Sequence, residues 1–577
     1  MFILSCMRLI EKARVLSQLA QWRLSWNKRD TSYRPAGLDS HIFKSARDAA
    51  DLIEDGDTVL SCGLAANARC SIFFWAVREL FEQYGGPAGL TWISVGAQGG
   101  RGRVPGTVEE LAIPGLLKRY ISGHVETAKA LLKLAEEGKL ELHLLPQGEM
   151  TLAIEAQAHG AERVISRTGR RTFLDPRCGR GSPVNGGINL IHVSGEQLEY
   201  HLPRINVAIF NAPYADKDGN IYFRNAATMT ESIEAARAAR FNSGKVLVSV
   251  AAVIPAAPRE VSLEAKYVDA IVVNPRNEQT GGIPQRKFWP MFTTGSDIDD
   301  LTGIQMLRFA NDVLGFTPNR GPAENAVARL GAALFVREVP RGATVNLGVG
   351  YGEEVVRILC EQGLHRDVVF TTETGVYGGV PAPGIFFGSA VNPLRLESSA
   401  WMFRHYRQHL DAALLGFLEV DSQGNVNGSE RSARISDFVG PGGMPSIIDA
   451  AQTIIFVGGW MTGAKWSIRD GQLQLENPGT AKFVDKVRTI TFSAEAALED
   501  GKQVFYVTNV GIFKLTKYGL MLIAVMPGMD IERDIIGTSR ANILLPAHGN
   551  VPLVSASVLS GRQFALRGPT NEGESQA

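Results

Sequence analysis

Residues 341–352 read Arg341-Gly-Ala-Thr-Val-Asn-Leu-Gly-Val-Gly-Tyr-Gly352, a strand-like run entering a glycine turn, with a helix-like run from Glu353 to Gln362 behind it. The same design stands earlier as Asp55-Gly-Asp-Thr-Val-Leu-Ser-Cys-Gly63, followed by a helical run from Ile72 to Tyr84. Working outward, further landmarks recur in the same order. A β-rich run ending in glycines is Thr91-Trp-Ile-Ser-Val-Gly-Ala-Gln-Gly-Gly100, and again Val368-Val-Phe-Thr-Thr-Glu-Thr-Gly-Val-Tyr-Gly-Gly379. An apolar run ends in Asp216-Lys-Asp-Gly-Asn220, and again in Asp421-Ser-Gln-Gly-Asn425. Last come Lys245-Val-Leu-Val-Ser-Val250 and Thr453-Ile-Ile-Phe-Val457. Four landmarks in one order predict an internal duplication. Gly-Asn after an apolar run is turn chemistry, since both residues tolerate positive φ. Short apolar runs alternating with helical patterns predict an α/β fold of two tandem, duplicated open domains with largely parallel sheets. His124 to Glu137 reads as one of the helices, with Val125, Ala128, Leu132 and Ala135 on one face and Gly138 as its stop. The first half carries a longer insertion between its second and third landmarks.

Composition bounds the function. The chain has 577 residues, 45% apolar and 20% charged, with 59 basic and 59 acidic residues. That length and apolar content suit more than one buried core. A balance of zero argues against a protein devoted to nucleic acid or an acidic membrane surface. Five cysteines in so long a chain exclude a disulfide scaffold, and no paired CxxC spacing suggests a structural zinc. No apolar run reaches the roughly 20 residues that a membrane-spanning helix needs. The expectation is a cytoplasmic protein with no metal. Residues 1–35 are basic and weakly amphipathic, with Arg8, Lys12 and Arg14 interrupting the apolar residues, so they do not read as a secretory signal. A surface helix, a transit peptide, or a start site later at Met7 remain the readings for this segment. The expected division is an extension at 1–44, a first domain at 45–285, a linker at 286–320, a second domain at 321–560 and a disordered tail at 568–577. The linker is placed where periodicity is lost around Gln279-Thr-Gly-Gly-Ile-Pro284 and the residues that follow.

Several residues are candidates for chemistry. The loop Asn346-Leu-Gly-Val-Gly-Tyr-Gly352 has GxGxG spacing, so the dinucleotide fingerprint fails. Amides at Gly348 and Gly350 at a helix start could still hold an anion, or simply make a tight turn. Glu373 lies just beyond a β run, where α/β folds place their sites, in a loop whose glycines, Gly378 and Gly379 among them, admit a large ligand. A carboxylate there can act as nucleophile or base, or be a solvated loop residue. Gly440-Pro-Gly-Gly-Met444 offers successive amides at Gly442 and Gly443 for an oxyanion hole, and Gln98 at the repeat-equivalent position could add a side-chain amide. His405 and His409 share a helix face, but no third metal ligand is evident. Cys62 and Cys70 read as small buried hydrophobes.

These residues together resemble the family I coenzyme A transferases, in particular the fused single-chain type that includes propionate and acetate/acetoacetate CoA-transferases. The resemblance runs from about 45 to 550. Its most specific part is Glu373-Thr-Gly-Val-Tyr-Gly-Gly-Val-Pro-Ala-Pro-Gly384 with Phe387-Gly-Ser-Ala-Val-Asn-Pro393. Val345 to Gly350, Asp421 to Asn427, Gly440 to Gly443 and Met526 to Asp534 also match, as do Gly96 to Gly102, Ser122 to His124, Leu145 to Gly148 and Tyr214 to Asn220. The resemblance implies a site between two similar domains, Glu373 as nucleophile, and Gln98 with Gly442 or Gly443 as the oxyanion hole. It implies CoA as substrate rather than cofactor, moved from a short-chain acyl-CoA to acetate, propionate or a 3-oxo acid through a glutamyl-CoA thioester, and a homodimer or homotetramer. Asn392, in the same motif, and the glycines above are expected to contact the substrate. An acyl-CoA hydrolase and a non-catalytic CoA or metabolite-binding protein are the competing readings. The first loop, Cys62 to Ser71, departs from the family: Cys70 and Ser71 stand where Pro-Glu is common. Gly352 replaces a usual proline, and Asn509-Val510 a usual Glu-Arg pair. Arg69, a charge in the altered loop, is expected to meet a substrate carboxylate.

Overall fold

The computed structural model describes residues 9–38, 40–100, 104–287, 289–317 and 320–566. The tail expected at 568–577 lies outside them, as do Arg101, Gly102 and Arg103. Two compact units emerge from the internal contacts. The first comprises Met1–Thr317, Thr372–His405 and Ser429–Ser446; the second comprises Pro318–Thr371, Tyr406–Gly428 and Ile447–Ala577. The chain passes between units near the expected linker, and two later excursions, 372–405 and 429–446, are part of the first unit. The segment 286–320 is not featureless: it holds the helix Asp300–Leu314, capped by the Asp299 carboxylate on Thr302 N–H and ended by left-handed Gly315.

The first unit is built on seven parallel strands: β1 (Thr58–Ser61), β2 (Leu90–Ser94), β3 (Leu117–Ser122), β4 (Glu141–Leu144), β5 (Val207–Ala215), β6 (Lys245–Val253) and β7 (Ala270–Val273). Their order is β7-β6-β5-β1-β2-β3-β4. The side-chain period of two divides each strand between opposite faces. Leu60, Ile93, Ile121 and Phe210 pack on one face with Ala153, Ile154 and Ala235 from the helices Gln147–Ala158 and Ser232–Phe241. Val59, Trp92, Tyr120 and Ile209 pack on the other with Phe73 and Val77 of the helix Ser71–Tyr84. Both faces are covered, as parallel sheets require. Each fully buried large apolar side chain contributes roughly 1.5–3 kcal/mol. The insertion of the first half supplies β3, β4 and a small antiparallel sheet of Arg163–Ser166, Gln197–His201 and Ile191–Ser194.

In the second unit the strands are β8 (Thr344–Leu347), β9 (Val369–Thr371), β10 (Ala412–Leu415), β11 (Thr453–Val457), β12 (Gln503–Val507), β13 (Gly511–Thr516), β14 (Gly519–Val525) and β15 (Ile543–Leu544). They run in the order β9-β8-β10-β11-β12-β13-β14-β15. The four sequence landmarks are β1, β2, β5 and β6 in one unit and β8, β9, β10 and β11 in the other. Their sheet orders, β2-β1-β5-β6 and β9-β8-β10-β11, are the same, and every pairing among them is parallel. Here the duplication read from the sequence appears as topology.

The helix expected from His124 starts only at Lys129 and runs to Glu136. The five residues before it are held in a loop, where Val125 N–H donates to Val439 O at 2.8 Å. That bond draws the backbone out of helical register. The N-terminal segment forms the helix Leu9–Ser25, with Val15 and Leu19 buried. No helix among the described residues is long and apolar enough to cross a membrane.

The acidic Gly-Asn turns also repeat in detail. Asp216 accepts from Asp218 N–H (3.0 Å), Asn220 N–H (2.9 Å) and the Tyr222 hydroxyl (2.6 Å). Asp421 accepts from Gln423 N–H (3.0 Å) and Asn425 N–H (2.9 Å). Burial works to raise the Asp216 pKa, but the Tyr222 and Asn220 donors outweigh it and hold the carboxyl below its usual value. A depressed folded-state pKa means stability that is present above the unfolded value of about 3.9 and lost as pH falls through the folded value. Asp216→Ala should therefore destabilise the first unit by about 2–3 kcal/mol at neutral pH. The deficit, read from thermal unfolding, should shrink below pH ~4 as the wild-type carboxylate protonates.

Candidate active site

β1 has β2 on one side and β5 on the other, so the chain leaves its C-terminal end at a topological switch point, where open α/β sheets place ligands. The loop that leaves there is Cys62 to Ser71. Leu64 N–H donates to Asn67 O at 3.2 Å and Asn67 N–H returns to Leu64 O at 2.8 Å. Ala65 and Ala68 take φ of 50° and 49°, an uncommon conformation for residues with a Cβ. Asn67 is buried and bridges two segments: its Nδ2 donates to Phe387 O and its Oδ1 accepts from the Thr280 hydroxyl. Cys70 donates to Cys62 O at 3.4 Å and Ile209 O at 3.6 Å. Burial, and then the nearby Glu231, push both thiols up, so they are inert small side chains.

Glu373 is buried, 8% exposed, in a tight turn that follows β9. Thr372 N–H donates to Val376 O at 3.0 Å, and Gly375 N–H to Thr372 O at 3.1 Å. The Thr372 and Thr374 hydroxyls both donate to Gly388 O, and Thr230 N–H donates to Thr374 O at 3.1 Å. Gly375 takes φ of 101°, and a Cβ there would stand 1.9 Å from Glu397 O. Only glycine fits. In the second unit, Asn346 Nδ2 donates to the Tyr406 hydroxyl and that hydroxyl to Thr371, each at 3.0 Å, fixing the end of β9 from which the turn departs.

The Gly440 loop is held against Ser122 to Val125. Gly442 N–H donates to Gly123 O at 2.7 Å, and Gln147 N–H donates to Gly442 O at 3.0 Å. A Cβ at Gly440 would meet Gly123 O at 2.7 Å. Glu373, Gln98, Gly442 and Gly443 thus all belong to the first unit.

The geometry divides the expected site residues. Gly442 is not a free donor, because its N–H is engaged by Gly123 O. No hydrogen bond from Gly443 N–H occurs among the described residues. Gln98 is fully buried and its Nε2 donates to Cys62 O, which leaves its second amide proton. Asn392 sits in the left-handed region (φ 52°) and commits both Nδ2 protons inward, to Ile298 O at 2.8 Å and Asp300 Oδ1 at 2.7 Å. Both bonds hold the loop, and its Oδ1 has no hydrogen-bond partner among the described residues. Gly378 and Gly379 make the positive-φ turn after Tyr377, and a Cβ at Gly379 would stand 2.4 Å from Val391 O. Gly348 and Gly350 lie in the second unit; Gly350 precedes the helix Tyr351–Glu361 with φ of 103°. Arg69 does not present its fork to solvent. It is 3% exposed and binds both carboxylate oxygens of Glu278, at 2.9 and 3.2 Å. The His405 ring stacks on Trp401 with centroids 4.7 Å apart. No group of three or more His, Cys, Asp or Glu able to hold a metal occurs among the described residues.

Two participants escaped the sequence reading. Asn67 stood in a loop noted only for its departures. Glu231, in Thr228-Met-Thr-Glu-Ser232, resembles an ordinary helix start, and no local signal marks it. It is 2% exposed and directly follows the Thr230 that binds the Glu373 turn. Burial raises its pKa to about 8, against the Gly63 N–H and the Cys62 thiol that face its carboxyl.

No family model matches the chain. It is 31% identical over 509 residues to a caffeate CoA-transferase of Acetobacterium woodii, covering 86% of this chain and 93% of that relative. It is 30% identical over 509 residues to the acetate CoA-transferase YdiF of Escherichia coli strain K12, covering 85% and 90%. Among solved structures, the apoenzyme of the acyl-CoA transferase YdiF from Escherichia coli O157:H7 matches with a TM-score of 0.79 at 27% identity, over 92% of this chain and 99% of that one. YdiF has also been solved as a thioester complex with CoA, and that structure matches with the same TM-score of 0.79.

The Arg69–Glu278 pair makes a direct test of the first loop. Arg69→Ala leaves a nearly buried carboxylate without its partner, which typically costs about 3–5 kcal/mol. Arg69→Ala should lower the thermal midpoint more than the double variant Arg69→Ala/Glu278→Ala does. The acid KM of the folded single variant should stay near that of the wild type.

Proposed function

The chain belongs to the single-chain CoA-transferases, and from that premise we propose that Glu373 is the nucleophile that carries coenzyme A from a short-chain acyl-CoA to a free carboxylic acid. The observation that carries this reading is the placement of Glu373: a carboxylate buried in a rigid turn beyond a strand end, inside the motif Glu373 to Pro393. A carboxylate in water is a weak nucleophile. Burial strips part of its hydration, and the turn fixes its direction.

In the proposed sequence the Glu373 carboxylate attacks the thioester carbonyl. The C–S bond breaks, giving an acyl–glutamyl anhydride and the CoA thiolate. The thiolate then attacks the glutamyl carbonyl, releasing the first acid as its carboxylate and leaving CoA on Glu373 as a thioester. The second acid's carboxylate attacks that thioester, forming a new anhydride and the thiolate again. The thiolate attacks the new acyl carbonyl, which yields the product acyl-CoA and restores Glu373. No net proton transfer and no ATP are required, because the thioester bond is conserved throughout. The thioester form in which YdiF has been solved supports carrying this covalent chemistry to the present chain.

Each tetrahedral intermediate bears an oxyanion. Gly443 N–H and the second Gln98 amide proton are the donors we assign to it, each worth about 10²–10³ in rate. The acids are assigned to the acetate, propionate or 3-oxo class. The named relatives act on caffeate and on acetate, so the acid is a property of the pocket rather than of the Glu373 turn.

The test mixes the protein with a panel of short acyl-CoAs, without acceptor acid, and records intact mass. A CoA-sized adduct on Glu373, discharged by a carboxylate, is the expected result. Release of CoA without any added carboxylate would instead make the protein a hydrolase, and CoA binding with no adduct would make it a binding protein. Glu373→Gln should fold normally and lose exchange by about 10³-fold or more.

A further inference from the structure

Around the Glu373 turn the first unit holds a second acid that the transfer chemistry does not use. Glu231 is 2% exposed and stands one residue before the helix Ser232–Phe241. Its neighbour Thr230 takes φ of 53°, donates from its N–H to Thr374 O at 3.1 Å and accepts at its O from Ser399 N–H at 2.9 Å. Thr230 is thereby fixed to the turn that carries Glu373, at Thr374, and to Ser399 at the start of the helix Ser399–His409. On its other side, the Glu231 carboxyl faces the Gly63 N–H and the Cys62 thiol. Gly63 is where Gln98 is wedged: a Cβ there would lie 2.3 Å from Gln98 Nε2. Glu231, through its carboxyl, and its neighbour Thr230, through its backbone, therefore link the first loop to the Glu373 turn. Glu231 Oε1 has no hydrogen-bond partner among the described residues, and neither has Gln98 Oε1.

The charged surroundings are acidic. Glu234 on the same helix lies near enough to act on Glu231, and beyond it stand Glu155 and Arg237. The first loop contributes Cys62 and Cys70, with Glu278 acting on Cys70, and Arg69 is already bound to Glu278. Across the Thr230–Thr374 bond, the chain neighbour of Thr374 is Glu373. A carboxylate at position 231 would add a buried negative charge close to Glu234, on the residue that follows Thr230. In a low-dielectric interior that repulsion is strong.

We propose that Glu231 is a positioning residue that works in its neutral, protonated form, clamping the Cys62–Gly63 loop to the Glu373 turn without burying a second negative charge beside Glu234. The inference rests on Glu373 being the reacting carboxylate. The raised pKa of about 8 agrees with the geometry and sets where the effect is read. Below it Glu231 is neutral and the site is competent. Above it Glu231 ionises and turnover falls.

Two variants separate the clamp from mere structure. Glu231→Gln is neutral, nearly isosteric and unable to ionise. It should keep kcat within about threefold at pH 7 and abolish the alkaline limb near pH 8. Glu231→Ala removes the clamp and should lower kcat by about 10–100-fold at every pH, with little change in the acyl-CoA KM. A limb that persists in Glu231→Gln, or a Glu231→Gln variant as impaired as Glu231→Ala, would overturn the proposal. An infrared difference spectrum of the wild-type protein between pH 7 and pH 9.5 needs no turnover. It should show a protonated carboxyl lost on raising the pH, absent in Glu231→Gln and retained in Glu234→Gln. Failure to see that band in the wild type overturns the proposal even if the CoA adduct forms. Failure to form the adduct while the band is present refutes the Glu373 reading and the catalytic role resting on it, leaving only the protonated carboxyl.

Discussion

The arrangement depends on keeping one carboxylate, Glu373, inside the protein at a fixed angle. Taking a charge out of water is costly unless its surroundings are organised in advance. The turn that carries it is organised by its own backbone bonds. Its amides close on Thr372 and Val376, its two threonine hydroxyls share Gly388 O, and Thr230 reaches in from a different part of the chain. In the first loop the Arg69 guanidinium is bound by Glu278 at 2.9 Å.

The glycines follow from the same constraint. Gly375, Gly379 and Gly388 have positive φ, and at each a Cβ would press on a neighbour the turn needs: Glu397 O, Val391 O and Asn67 Nδ2. They are places where backbone meets backbone or a buried amide so closely that no side chain fits. The motif is glycine-rich because the turn is packed from both sides. That packing orients the carboxylate, and orientation supplies much of what a covalent catalyst gains.

How much of this was legible in the sequence follows from the range of each interaction. Strand-turn-helix landmarks are local, so the duplication could be read from order alone, and the sheet topology repeats it. Glu373 was legible because its neighbours in the motif are also its neighbours in space. The surroundings of Gly442, Asn392 and Arg69 were not legible, for the opposite reason. Their partners, Gly123, Ile298 with Asp300, and Glu278, lie far along the chain, and nothing at 442, 392 or 69 announces them. The helix expected from His124 failed likewise: its apolar period is real, but a bond from Val125 to Val439 claims its first residues. Glu231 shows the limit of the method, since its burial is a property of the assembled fold.

The altered first loop can now be placed in physical terms. At the positions where the family resemblance leads one to expect Pro-Glu, this chain has Cys70 and Ser71. Cys70 turns its thiol back onto Cys62 O and Ile209 O, and the Ser71 hydroxyl joins Arg69 on Glu278. Both substitutions draw the loop toward the sheet and toward the hairpin Glu278 to Pro284, where the second loop anchor, Asn67 to Thr280, also lies. The loop is thus tied down by neutral or internally paired groups and offers little positive charge to an incoming acid. Discrimination among acids at such a site must come from shape and desolvation more than from ionic attraction. Apolar contacts distinguish one methylene from the next by only about 1–3 kcal/mol. On the mechanism proposed above, a broad acid range is the expected consequence, and the non-reacting bulk of CoA would supply the binding energy for the covalent steps.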